Sequence, residues 1–101
     1  MIVEFSIVPI GEGENLAELV SKVVDIVDGS GLPYQLTAMG TIVEGEWNDV
    51  FELIKECHFK MRQLASRVMT SITIDDREKA KKRITGKVDE VEEILGRHLK
   101  K

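Results

Sequence analysis

At 101 residues, 43% of them hydrophobic, the chain is long enough to bury one core and too short for two, which excludes a mechanism shared between domains. Its 18 acidic and 14 basic residues give a net charge of -4, which disfavours nucleic acid and anionic membrane as partners, because phosphate neutralisation needs a clustered basic face. A single cysteine, Cys57, excludes an internal disulfide, and the opening MIVEFSIVPI has neither the basic start of a signal peptide nor the length to span a bilayer, so a cytoplasmic location is expected.

Residues 2–10 alternate Val3, Phe5 and Ile7 with Glu4, Ser6 and Val8, the period of a half-buried strand whose open side leans polar. Asn15 and Glu18 form a plausible capping box. Leu16, Leu19, Val20, Val23, Val24 and Val27 then recur at helical spacing until Gly29 and Gly31 supply a stop. From Pro33 the residues favour strand, first at 34–39 and then at 41–44, and Gly40 marks the break between two short strands. A second helix follows Gly45 and Glu46, with Trp47, Val50, Phe51, Ile54, Cys57, His58, Met61, Leu64 and Ala65 as the stripe to be buried.

Residues 67–75 return to strand chemistry, with Val68, Thr70, Ile72 and Ile74 on one side and Arg67, Met69, Ser71, Thr73 and Asp75 on the other. Asp75 and Asp76 read as the cap of a last helix running to about Leu99 on a stripe of Ile84, Val88, Val91 and Leu95. The order β-α-β-β-α-β plus a helix predicts an α+β, ferredoxin-like sandwich in which two helices cover one face of a four-stranded antiparallel sheet. The first and third strands are then central. Val8, Met69 and Val43 would lie on an uncovered face apolar enough to need a ligand or another subunit, so a homo-oligomer is expected.

Catalysis has little to work with. His58 lies in an apolar stripe, His98 lies near the end, and neither has a nucleophile or orienting group beside it, so the chain reads as a binding protein, not an enzyme. One cysteine and two distant histidines lack zinc spacing, so no metal site is implied. The glycines of residues 11–14, GEGE, precede a helix, but the two glutamates would repel a phosphate. The basic run REKAKKR at 77–83 reads as a solvated helix face.

What remains is a set of hydrogen-bonding groups on an apolar scaffold: Ser6, Tyr34, Thr41, Glu44, Trp47, Ser71, Thr73 and Asp75. They are either ordinary open-face strand residues or the walls of a small-ligand pocket. In the second case the Glu44 carboxylate could accept from an exocyclic amine and a protonated ring nitrogen together, while Tyr34, Met39 and Trp47 sandwich the ring. Such a pocket would bind without turnover.

Four blocks point to one of these readings: SIVPIGEGENL near the start, SGLPYQLTAMGTIVEGEW in the middle, then RVMTSITIDDR and KVDEVEEILG. Together they resemble the YkoF-like thiamine-binding family over essentially the whole chain. The resemblance implies a ferredoxin-like fold, assembly of open sheets into dimers or tetramers, no cofactor, and non-catalytic binding of thiamine or its hydroxymethylpyrimidine moiety. It further implies Ser6, Tyr34, Met39, Thr41 and Glu44 as residues near the pocket, with Ser71, Asp75 and Arg77 as weaker companions.

Overall fold

The computed structural model describes residues 1–11, 16–78 and 83–99. In chain order the elements are β1 (Ile2–Pro9), α1 (Leu16–Gly29), β2 (Tyr34–Leu36), β3 (Thr41–Glu44), α2 (Trp47–Leu64), β4 (Val68–Asp75) and α3 (Arg83–Leu95). The strands form one antiparallel sheet in the order β2-β3-β1-β4. This is the expected ferredoxin-like α+β topology with an added helix, and β1 and β3 are its central strands.

Residues directly opposite in neighbouring strands share a face, so the register assigns every side chain to the helix side or the open side. Val3 lies between Val43 and Ile74, and Phe5 between Thr41 and Ile72. These rows meet Val23 and Val27 of α1 and Val50, Leu53, Ile54, Cys57 and Met61 of α2 in the core. Truncating Phe5 or Met61 to alanine there would cost about 3–5 kcal/mol through lost burial and the cavity left behind.

The open side carries rows of different character. Glu44 and Asp75 flank Ile2, Ile42 and Thr73 flank Glu4, Ser71 pairs with Ser6, and Met69 pairs with Val8. Val43 does not belong there: it is fully buried against Val3, because the pairing with β1 turns it toward the helices.

Several helical expectations shift. In α2, Leu53 joins the buried stripe, whereas Trp47 stays 55% exposed and rests its ring on Phe51 at a centroid distance of 4.5 Å. In α1, Leu16 and Val20 are also exposed, although they continue the core stripe. The capping residue Asn15, the glutamates of GEGE and Lys79, Lys81 and Lys82 lie outside the described residues.

The last helix is shorter than expected. Asp75 ends β4 instead of capping α3, since it still pairs with Ile2, and the helix stops at Leu95. Gly96 follows with φ 71°, and its N–H and that of Arg97 both reach the Glu92 carbonyl, at 2.8 and 3.2 Å. A left-handed glycine that closes the last carbonyls is a common helix stop. At its start α3 meets the sheet where the Ile84 N–H donates to Glu44 Oε1 at 3.4 Å, and toward its end Val91, Ile94 and Leu95 are exposed. The radius of gyration is accordingly 15.1 Å, against about 13 Å for a compact chain of this length. Among the described residues no helix is long and apolar enough to cross a membrane.

Candidate functional site

The turn between β2 and β3 is built around one hydroxyl. Thr37 Oγ1 donates to the Gly40 carbonyl at 3.0 Å and accepts the N–H groups of Met39 and Gly40 at 3.1 and 3.0 Å. The Thr37 N–H adds a 2.8 Å bond to the same carbonyl. The hydroxyl has one proton and two lone pairs, so the turn consumes its whole capacity.

This turn leans on β1 and, with the first half of α1, encloses a groove of about 270 Å³. Leu16, Val20, Val23 and Val24 form one wall, residues 5–8 of β1 the floor, and residues 36–41 the other wall. The exposure of Leu16 and Val20 is thereby explained: they line the groove instead of the core. Thr41, from the helix side of the sheet, supplies a hydroxyl to an otherwise apolar lining, Ser6 borders the groove from β1 with its side chain on the open side, and Met39 stands 83% exposed on the turn. A small apolar cleft with a few hydroxyls suits one flat heteroaromatic ring.

Ser6, Met39 and Thr41 of the expected site are thus brought together. The others are not. Tyr34 turns its hydroxyl to Asp28 Oδ1 at 2.7 Å, and that bond to a carboxylate holds the phenol above its ordinary pKa. Glu44 sits on the open side, largely buried under the start of α3, with one oxygen on the Ile84 N–H. Trp47 opens α2 against Phe51. Ser71 and Asp75 belong to the open side of β4, and Arg77 is exposed just beyond it.

The groove contains residues that sequence reasoning did not single out: Leu16, Val20, Leu36, Thr37 and Ala38. One signal was present, an apolar stripe in α1 that begins a full turn before the core needs it.

Elsewhere, a wide cleft of about 630 Å³ between the end of α1 and α2 is lined by Asp49, Glu52 and Glu56. Among the described residues no group of histidine, cysteine and carboxylate side chains is placed to hold a metal ion. Cys57 is fully buried, and desolvation, followed by the nearby Glu56 charge, pushes its thiol up to about 12.

A four-stranded antiparallel sheet with two helices on one side, a third appended and an apolar groove at one end defines a small α+β protein of the ferredoxin-like class. Within that class the chain belongs to the thiamine-binding protein family, whose family model matches residues 3–92. It is 36% identical to a UPF0045 protein of Mycobacterium bovis, with 94% of each chain covered. Among solved structures it is similar to a hypothetical protein from Methanocaldococcus jannaschii, with a TM-score of 0.83, 29% identity and coverage of 91% and 95% of the two chains. A protein from Thermotoga maritima described as a candidate thiamine biosynthesis/salvage protein superimposes with a TM-score of 0.80, at 26% identity and coverage of 89% and 96%.

Proposed function

We propose that this chain is a one-domain, non-catalytic cytoplasmic binding protein for thiamine or its hydroxymethylpyrimidine moiety, and that the pyrimidine ring occupies the groove between α1 and the β2–β3 turn. The observation that carries this reading is the convergence of Ser6, Met39 and Thr41 on that groove, in a chain of the thiamine-binding family. The Met39 thioether would lie against the ring, and polarisable sulfur makes favourable contacts with aromatic rings. The Thr41 hydroxyl can donate or accept, which suits a ring that presents both an amine and bare nitrogens.

Isothermal titration with thiamine, hydroxymethylpyrimidine and the thiazole half, each alone, tests the reading. Heat from thiamine and the pyrimidine but not from the thiazole supports it, and a Met39→Ala variant should then bind both more weakly. Silence from all three, with folded and ligand-free protein, overturns it.

A second reading, a structural or regulatory homo-oligomer whose open sheet is a subunit interface, has one observation in its favour. Val8 and Met69 pair across β1 and β4 on the open side and are 42% and 55% exposed. Two copies stacked by these faces, as a dimer or a pair of dimers, would bury that patch. A self-associated protein that ignores all three ligands would favour this second reading.

A further inference from the structure

β1 outruns its neighbour on one side. It pairs with β4 from Ile2 to Pro9 but with β3 only from Ile2 to Phe5. Carried two residues further, the register would set Met39 opposite Ile7, but the chain has already turned away through Gly40 and Met39 stands out on the turn. The part of β1 left without a strand on that side is the floor of the groove.

Which backbone groups face the gap follows from the bonds at the start of β1. The Met1 nitrogen donates to the Gly45 carbonyl at 3.0 Å, and the Gly45 N–H donates to the Met1 carbonyl at 3.1 Å. Met1 therefore points its polar groups toward β3, and along an antiparallel strand this direction alternates. Val3, Phe5 and Ile7 share it. At the far end Ile10 donates its N–H to the Arg67 carbonyl beside β4, as the same alternation requires.

Val3 and Phe5 find partners in Val43 and Thr41. Ile7 does not: its N–H and C=O face the groove, and among the described residues neither meets a hydrogen-bonding group. Pro9, next in the alternation, has no N–H to leave open. Buried main-chain donors and acceptors are almost always paired, so an open pair on a residue only 8% exposed points to a ligand as the partner. The hydroxyl of Thr37 and the carbonyl of Gly40 offer no competing site, because the turn uses both.

We infer, resting on the ligand class proposed above, that the Ile7 peptide is the recognition element of the groove: its N–H donates to a bare ring nitrogen, and its C=O accepts from an amine on the adjacent ring carbon. A strand residue of this kind presents donor and acceptor side by side, close to the plane of the sheet. Whatever completes it must be flat and carry an acceptor and a donor side by side on one edge. The amine of hydroxymethylpyrimidine and the nitrogen next to it form such an edge, and the thiazole half has none. The ring then continues β3 opposite Ile7, under the apolar wall of Leu16 and Val20. No charged side chain lines the groove, and two main-chain bonds let it select an amine without one.

The test combines amide NMR of the isotope-labelled protein with a double-mutant cycle. In the free protein the Ile7 amide should exchange with solvent faster than those of Val3 and Phe5. Saturating hydroxymethylpyrimidine should move the Ile7 amide proton downfield and slow its exchange about tenfold, the worth of one hydrogen bond. For the cycle, an ester in place of the Ser6–Ile7 peptide bond, introduced by chemical synthesis, removes the Ile7 N–H and keeps every side chain. It should bind hydroxymethylpyrimidine about tenfold more weakly. The pyridine analogue with C–H in place of the nitrogen beside the amine has no acceptor for that N–H, so it should bind the ester and the unchanged protein alike. An Ile7 amide as protected as Phe5 in the free protein, or an ester that weakens both ligands equally, overturns the inference. Pyrimidine that binds without moving the Ile7 amide overturns it too and leaves the proposed function standing, whereas pyrimidine that does not bind at all overturns both.

Discussion

Gly40 and Phe5 approach so closely that a Cβ on Gly40 would lie 2.7 Å from the Phe5 carbonyl oxygen. A backbone oxygen in a central strand cannot swing aside as a side-chain tip can. The turn that walls the groove is therefore seated on β1 by the absence of one methyl group. Gly40→Ala should push the turn away, at a cost of about 1–3 kcal/mol as for other overpacked sites. Urea denaturation would read the stability loss. Under the proposed function, titration with hydroxymethylpyrimidine should show weakened binding, because residues 37–41 form one wall of the groove.

Across the sheet, His58 Nδ1 and Thr70 Oγ1 lie 2.7 Å apart and tie α2 to β4. Thr70→Val keeps the shape and removes the hydroxyl, leaving a half-buried ring nitrogen without that bond. The expected loss is about 1–2 kcal/mol, read as a lower midpoint in urea with an unchanged slope. Groove binding should be unaffected, because neither residue lines the groove.

The Cys57 thiol gives a pH dependence with a definite sign. In the unfolded chain it ionises near its ordinary 9.0, and in the fold near 12. Between these values the unfolded chain gives up a proton that the native state keeps. The contribution is whole below about pH 9 and is lost as pH rises toward 12, at most about 1.4 kcal/mol per pH unit. Cys57→Ala should carry a constant cavity cost below pH 9, and its gap to the unchanged protein should narrow above it. Denaturation curves at pH 8 and pH 10 measure this directly.

How far the sequence shows these features depends on their locality. The alternation in β1 and β4 is long enough to sort side chains into two faces, and the pairing reproduces that sorting from Val3 to Val8 and from Val68 to Asp75. A strand of four residues, Thr41 to Glu44, divides into two pairs whose sides are settled by the register with β1, which is why Val43 is in the core while Glu44 is on the open side. The groove is less legible still. Leu16 and Val20 look like core residues in any helical projection, and only the approach of a turn some twenty residues later shows that they face a cleft. Tyr34 has the composition of a ring-binding residue, but its hydroxyl is committed to Asp28 six residues earlier.

Glu44 separates two ways of reading the same motif. Its sequence setting suggests a carboxylate for an aminopyrimidine, whereas in the fold it lies under α3 with one oxygen on the Ile84 N–H and does not line the groove. Glu44→Gln nearly preserves shape and removes the charge, so it weakens a charge-assisted hydrogen bond without opening a cavity. If the ring sits in the groove, pyrimidine affinity should stay within about 1 kcal/mol of the unchanged protein. Amide exchange at Ile84 and along the first turn of α3 should quicken, since the helix start loses its acceptor of full charge. A loss of affinity larger than that bound, with α3 exchange unchanged, would move the ring to the open face beside Ile2 and make Glu44 its recognition group.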